Sequence, residues 1–260
     1  MTGEIAIEID DNGVGSIWIE NPSHRNAMNN ALIEALIEAF EKLSADSYCR
    51  LIVLRGRGGI FCAGRELRDL RDLHESTLEV IEAAYRRLRQ LNEAIYYCPK
   101  PTVCVIEKYA FGLGATIVSW CDMALAEADA LISYPEVHHG ITPAPAVMAM
   151  LRGLGRKATM DLLLTGRRVG MAEAVELGLV TKSVPKEALD DALSEIVTSL
   201  LRGSPSAIRR TKEFIWQSED AAHRSGMASA VDSISAGLAS PEAREGIGAF
   251  LEKRSPAWAR

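Results

Sequence analysis

The stretch KPTVCVIEKYAFGLGATIVSWCDMALA, residues 100–126, contains the pattern that decides the fold. Its apolar run TVCVIE (102–107) follows two prolines and predicts a buried strand, and DMALA (122–126) predicts another. Between them, a Gly-Leu-Gly turn leads into an apolar segment that predicts a helix over 115–121. A strand, a turn, a helix and a strand in succession predict an α/β fold.

The residues before this stretch continue the alternation of strand and helix. EIAIEIDDNGVGSIWIE (4–20) alternates apolar and polar residues around Asn-Gly, which tolerates the positive φ of a tight turn, so it predicts a hairpin. Apolar residues at helical spacing predict an amphipathic helix over 28–43 and a long helix over about 78–96. LIVLRG (51–56) predicts another buried strand, closed by glycine.

The character of the chain changes after LIS (131–133), a last predicted strand of this group. Beyond about residue 143, the apolar residues of nearly every segment have helical spacing. Gly178 ends one of these helices, and LVTKSV after it predicts a final short strand. We therefore predict an α/β core over 1–200 that contains the site, and a helical region over 201–260 that packs on this chain or on a partner subunit.

Composition fits a globular enzyme. The chain has 260 residues, 48% hydrophobic and 25% charged, enough for one core with a small appendage. The net charge of -6 gives no general attraction to nucleic acid or to anionic membranes. A local basic patch is conceivable because six arginines fall close together, although scattered surface arginines are the favoured interpretation: Arg50, Arg55, Arg57, Arg65, Arg68 and Arg71.

The five cysteines and the histidines do not predict a metal or disulfide framework. No CxxC and no HxxxH occurs, so reduced buried thiols are expected and no metal site is predicted. The acidic N-terminus has no basic segment followed by an apolar run, and no apolar stretch approaches the length of a membrane span. We expect a cytoplasmic protein that binds neither membrane nor nucleic acid.

Two glycine-containing turns are candidates for ligand binding. RGRGGIFCAGREL (55–67) matches neither the dinucleotide fingerprint nor the phosphate-loop pattern, but Ala63-Gly64 lets the amide of Arg65 point at a ligand. The Gly112-Leu113-Gly114 turn has a similar plan, since amides at the first turn of a helix are unpaired and suit an oxyanion. The two turns either form an oxyanion hole together or are simply tight turns.

Glu136 is the candidate acid or base. In LISYPEVHHGI it lies just after a short strand and among apolar neighbours, a setting that would raise the pKa of a carboxyl group. An exposed loop carboxylate remains the alternative. The sequence has no GxSxG for serine hydrolase chemistry, and His138 and His139 are more typical of structural or exposed histidines.

Six motifs in this order resemble the crotonase (enoyl-CoA hydratase/isomerase) superfamily over nearly the whole chain. They are NPSHRNAMN (21–29), IVLRGRGGIFCAGREL (52–67), KPTVCVIEKYAFGLGATIVSWCDMALA (100–126), SYPEVHHGITP (133–143), LLLTGRRVGMAEAVELGLVTKSVP (162–185) and REGIGAFLEKR (244–254). The resemblance implies a spiral of ββα units, a C-terminal helical region that forms a homotrimer or a dimer of trimers, and an acyl-CoA substrate with no separate cofactor.

The resemblance also implies roles for individual residues. The amides of Arg65 and Leu113 would hold the thioester oxygen, and Glu136 would be the acid/base. The positions matching the CoA-binding segments are His24, Arg25, Ala27, Cys62, Ala63 and Gly64, and Lys253 matches a C-terminal lysine that reaches the CoA phosphates of a neighbouring subunit.

Two departures from the family pattern bear on the reaction. The well-known hydratases of this family carry two glutamates, and Thr116 occupies the position of the first. A threonine hydroxyl can hold a water but is too weak a base to replace a carboxylate. Leu113 replaces a glycine and narrows the pocket. An enoyl-CoA hydratase is favoured slightly. The alternatives are a 3,2-enoyl-CoA isomerase with Glu136 as the sole proton shuttle, and a non-catalytic acyl-CoA-binding or scaffold protein.

Overall fold

The computed structural model describes residues 3–257, the side chains of 220–234, 236 and 237 excepted. Its first two strands, β1 (Glu4–Ile9) and β2 (Val14–Glu20), are antiparallel and form the predicted hairpin. Gly13 has the positive φ of 81° that the tight turn requires.

Some of the remaining strands extend this hairpin into a large sheet, and the others form a separate small sheet. The remaining strands are β3 (Leu51–Gly56), β4 (Thr102–Ile106), β5 (Tyr109–Phe111), β6 (Met123–Glu127), β7 (Leu131–Ser133), β8 (Val169–Gly170) and β9 (Lys182–Val184). The large sheet has the order β1-β2-β3-β4-β6-β9 and is parallel from β2 onward, while the small sheet has the order β5-β7-β8. Every residue of β4 is buried, which is why this strand is a continuous apolar run in the sequence.

The helices cover the sheets and form the C-terminal region. They are α1 (Asn30–Ala45), α2 (Leu67–His74), α3 (Leu78–Tyr96), α4 (Leu113–Trp120), α5 (Ala144–Gly153), α6 (Arg156–Thr165), α7 (Met171–Glu176), α8 (Leu189–Leu201), α9 (Pro205–Leu238) and α10 (Pro241–Leu251). Short 3₁₀ helices cover Pro22–His24, Pro135–His139 and Lys186–Ala188.

The chain winds as a spiral of ββα units. β4 lies in the large sheet, β5 in the small sheet, and α4 follows; β6, β7 and α5 repeat this order. In the preceding unit of the spiral, β3 lies in the large sheet, and Cys62 forms an isolated parallel bridge with Ala110 of β5 at the small sheet. Successive turns therefore place the loops that follow the small-sheet strands next to one another, and the candidate site lies there.

Two helix starts differ from the sequence prediction. Helix α1 begins at Asn30 rather than at position 28, because the Met28 amide donates to Gly64 O (2.8 Å) and the Asn29 side chain caps the helix by accepting from Leu32 N (2.9 Å). Helix α4 begins at Leu113 rather than at position 115, directly after Gly112. The short elements α2, β5 and β8 were not predicted.

The C-terminal helices pack on the same chain. Helix α9 contacts α3 and α5, and α10 contacts α2 and the 3₁₀ helix at Pro135–His139. The buried Lys212 ammonium of α9 donates to the Asp122 carboxylate and to Lys100 O (3.0 Å), which ties α9 to the start of β6. The division at residue 200 stays a prediction.

The clustered arginines do not form a continuous basic patch. Arg55 pairs with Asp190 (2.8 Å), Arg57 pairs with Glu20 (2.8 Å), and Arg71 pairs with its neighbour Asp72 (3.1 Å). Arg50 donates to Leu201 O and Gly203 O (3.2 Å each), at the C-terminal end of α8. Within residues 3–257, no helix combines the length and the apolar character that crossing a bilayer requires.

Candidate active site

The two glycine-containing turns lie side by side. The Phe111 amide donates to Cys62 O (3.0 Å) and the Cys62 amide donates to Tyr109 O (3.3 Å), so the segment after β3 runs beside β5. A methyl group added to Gly114 would lie 2.7 Å from Cys62 O, which is closer than atoms can approach. The glycine is therefore required for α4 to pack against this segment.

Both turns present a backbone amide to the same place. Gly64 has a φ of 103° and Gly112 a φ of 52°, conformations that glycine adopts readily. A methyl group on Gly64 would lie only 3.6 Å from Leu113 N. Neither the Arg65 amide nor the Leu113 amide donates to an acceptor of the described residues, and Leu113 is the first residue of α4. Two adjacent free amides, one at a helix N-terminus, can hold a developing oxyanion.

The Glu136 carboxyl group faces these amides. It lies in the 3₁₀ helix after β7, and a methyl group on Gly112 would be 3.4 Å from its Oε1. Its Oε2 is shielded from solvent and has no hydrogen-bond partner among the described residues. Burial raises the pKa of Glu136 to about 7, against the smaller lowering effect of its own backbone amide. A carboxyl group with this pKa can both accept and donate a proton near neutral pH.

A pocket of about 1230 Å³ opens over the two turns. Eight of the residues predicted for the site line it: His24, Arg25, Ala27, Ala63, Gly64, Arg65, Leu113 and Glu136. Leu67 and Leu70 of α2 form an apolar part of the wall. The volume and the apolar lining suit a small organic ligand with a few polar contacts.

Three predicted site residues lie outside the lining. Cys62 is fully buried beneath the Gly64 turn, and burial raises the pKa of its thiol to about 12, so it packs rather than reacts. Thr116 is buried on α4 one turn after Leu113, and its hydroxyl makes no hydrogen bond to a described residue. Lys253 is exposed just after α10.

The structure adds residues that sequence reasoning did not assign to the site. His138, His139, Arg167, Arg168, Phe250 and Arg254 all line the pocket. The His139 ring lies edge-on to the Phe250 ring, with centroids 5.0 Å apart, and burial lowers the pKa of this histidine. The paired histidines and paired arginines were visible in the sequence, but Phe250 and Arg254 reach the pocket only because α10 folds back over it.

Comparisons with known proteins identify the family of the chain. The family model described as enoyl-CoA hydratase/isomerase matches residues 10–260. A putative enoyl-CoA hydratase of Thermus thermophilus is 32% identical over 251 residues, which cover 96% of this chain and 99% of the relative. The mitochondrial enoyl-CoA hydratase domain-containing protein 2 of Homo sapiens is 31% identical over 252 residues, covering 95% of this chain and 85% of the relative.

A crystal structure gives the same result. An enoyl-CoA hydratase from Mycobacterium avium superposes with a TM-score of 0.88 at 27% identity and covers 100% of both chains. The fold is therefore the crotonase fold that the sequence motifs predicted. The match along the whole chain means that this protein belongs to the enoyl-CoA hydratase/isomerase family.

Proposed function

We propose that this acyl-CoA-processing enzyme is an enoyl-CoA hydratase, which adds water reversibly to a 2-enoyl-CoA. The observation that carries the proposal is a Glu136 carboxyl oxygen beside the Arg65 and Leu113 amides, all three without a hydrogen-bond partner among the described residues. The amides would hold the thioester oxygen and stabilise the negative charge that develops there when water attacks carbon 3. Glu136 would accept a proton from that water and deliver a proton to carbon 2.

Thr116 is the proposed water-positioning residue. It lies three residues after Leu113, on the same side of α4, and its hydroxyl is not used in a hydrogen bond to a described residue. A hydroxyl can hold a water but cannot deprotonate it near neutral pH, so Glu136 alone supplies the base.

Isomerisation between 3-enoyl-CoA and 2-enoyl-CoA is the second candidate. The observation that favours it is that Thr116 does not line the pocket, so its hydroxyl is not presented there to a water beside Glu136. A single carboxyl group suffices to move a proton between carbons. Non-catalytic acyl-CoA binding is the third candidate, and the raised pKa of Glu136 argues against it.

The remaining site residues would bind the CoA part of the substrate. His24, Arg25, Ala27, Ala63 and Gly64 line the pocket and would contact adenine and pantetheine, with Cys62 supporting the turn from below. Lys253 would reach the CoA bound by a neighbouring subunit of a homotrimer or a dimer of trimers. We expect a cytoplasmic enzyme that needs no cofactor other than the CoA of its substrate.

Turnover of two substrates distinguishes the candidates. We expect the protein to add one water to a 2-enoyl-CoA, observed by product mass, and not to convert a 3-enoyl-CoA at a comparable rate. Thr116→Val should reduce hydration by about 100-fold if the hydroxyl positions water, within the range general for positioned catalytic groups. A shifted double bond with unchanged mass and little effect of Thr116→Val would establish the isomerase instead.

A further inference from the structure

The side chain of Arg65 is half-buried, with Nη2 at the exposed end and the other guanidinium nitrogens shielded from solvent. Its Nη2 donates to Asn30 Oδ1 (2.6 Å), and its guanidinium carbon lies 5.5 Å from the centroid of the Tyr85 ring. The other two nitrogens, Nε and Nη1, are shielded from solvent and have no acceptor among the described residues. The guanidinium therefore retains buried donors that the described part of the chain does not satisfy.

The positive charge of Arg65 also has no carboxylate partner at ion-pair distance among the described residues. The Asp69 carboxylate acts on the pKa of Arg65 only through its charge, and its Oδ2 accepts a hydrogen bond from the Asn30 backbone N–H (2.9 Å). Burial lowers the pKa of the guanidinium, yet arginine remains protonated in proteins. A buried cation with unpaired donors is unfavourable unless an acceptor is supplied, and a negatively charged acceptor compensates best.

The location of this charge points to the acyl part of a substrate. Arg65 lines the pocket beside Leu67 and Leu70. The charges of both Arg65 and the Glu136 carboxyl group act on the pKa of the neighbouring Tyr85 phenol, so all three groups lie close together. The Arg65 amide is one of the two that would hold the thioester oxygen. An acceptor bound by the guanidinium must therefore lie within the reach of one arginine side chain from the thioester, which restricts the acyl group to a short one.

We propose, given that this pocket takes an acyl-CoA thioester as argued above, that Arg65 is a specificity-determining residue whose guanidinium binds a carboxylate at the far end of the acyl group. The preferred substrates are mono-CoA thioesters of short unsaturated dicarboxylic acids. Leu67 and Leu70 contact the intervening carbons and exclude water, which strengthens the charge-assisted hydrogen bonds.

Binding of unreactive substrate analogues tests this inference. Two saturated CoA thioesters of equal chain length, one ending in a carboxylate and one in its methyl ester, are titrated into the protein in a calorimeter. The wild-type protein should bind the carboxylate about tenfold or more tightly, which corresponds to about 1.4 kcal/mol. Arg65→Met should bring the ratio of the two affinities close to one.

The control is Arg68→Met, which removes an exposed arginine that does not line the pocket and should keep the wild-type ratio. Equal affinity of wild-type protein for the two thioesters overturns the role of Arg65 while leaving the acyl-CoA site in place, and so does an unchanged ratio in Arg65→Met. If neither thioester binds to the wild-type protein, the acyl-CoA site itself is wrong, and this inference fails with it.

Discussion

The environment of Glu136 affects both the chemistry of the site and the stability of the fold. Its Oε2 is buried and has no hydrogen-bond partner in the part of the chain that the structure describes, and its pKa rises from 4.5 to about 7 on folding. Because the folded protein holds this proton more tightly than the unfolded chain does, ionisation opposes folding. The penalty is absent below pH 4.5, grows between pH 4.5 and about 7, and stays constant above, at about 3 kcal/mol.

Glu136→Gln should therefore stabilise the protein at alkaline pH while abolishing turnover. At about pH 8 we expect its free energy of unfolding to exceed the wild-type value by up to ~3 kcal/mol, with no difference below pH 4.5, as measured by urea denaturation. Glu245→Gln is the control, for which we expect a lower free energy of unfolding at alkaline pH. Arg254 lowers the pKa of Glu245 to about 2, so the ionised form of this carboxyl group favours folding. An equal or lower stability of Glu136→Gln at alkaline pH would contradict the burial of a charged carboxyl group.

Some site residues could be predicted from the sequence because their role depends on residues that are adjacent in the chain. Gly64 and Gly112 identify turns, and the amide that follows each turn is fixed by the backbone. The Glu136 context of strand, proline and apolar neighbours is local too. The contacts of the Arg65 side chain with Asn30 and Tyr85 join residues far apart in sequence. Only the folded chain therefore reveals that two Arg65 nitrogens lack a partner among the described residues.

At the scale of elements, the approach of α4 to the segment at Cys62 determines how the two amides are placed. Gly114→Ala would put a methyl group 2.7 Å from Cys62 O and 2.8 Å from Cys62 Cβ, so α4 must move. We expect a loss of about 1–3 kcal/mol in the free energy of unfolding. We also expect a lower kcat, because the Leu113 amide moves away from the Arg65 amide.

Gly248→Ala provides the matched control. Gly248 lies inside α10 with nothing within 4 Å of an added methyl group, so alanine should raise the free energy of unfolding by up to about 1 kcal/mol and leave kcat unchanged. Thermal unfolding and steady-state kinetics of both variants provide the comparison. Equal behaviour of the two variants would mean that close packing of α4 at Cys62 is not needed.

The elements predicted correctly are those whose pattern comes from burial. Strands such as β3 and β4 are buried on both faces and therefore form apolar runs, and the long helix α3 has apolar residues at helical spacing. In contrast, β5 and β8 have only three and two residues, and they are strands because of the neighbours they pair with. No local pattern distinguishes such segments from loops.

At the scale of the whole molecule, the C-terminal region closes one side of the pocket. Phe250, Arg254 and Pro256 line it, while Lys253 is exposed and is not part of the lining. This arrangement suits the proposed homotrimer, in which Lys253 of one subunit reaches the CoA bound by the next.

The assembly and the role of Lys253 can be tested together. We expect a particle of three or six times the chain mass of 28.3 kDa by light scattering. Lys253→Met should raise KM several-fold and leave kcat unchanged, since a CoA phosphate contact is made equally in the ground state and the transition state. A monomer with full activity, or an unchanged KM in Lys253→Met, would contradict the contribution of a neighbouring subunit.

If Glu136 and the two amides add water across the double bond of a 2-enoyl-CoA, the hydrogen delivered to carbon 2 comes from solvent. The wild-type protein is therefore incubated with a 2-enoyl-CoA in D₂O, and the product is analysed by mass spectrometry and NMR. We expect a 3-hydroxyacyl-CoA with one deuterium on carbon 2, and no product from Glu136→Gln. A product with a shifted double bond and no added water, or hydration at the wild-type rate by Glu136→Gln, would contradict this mechanism.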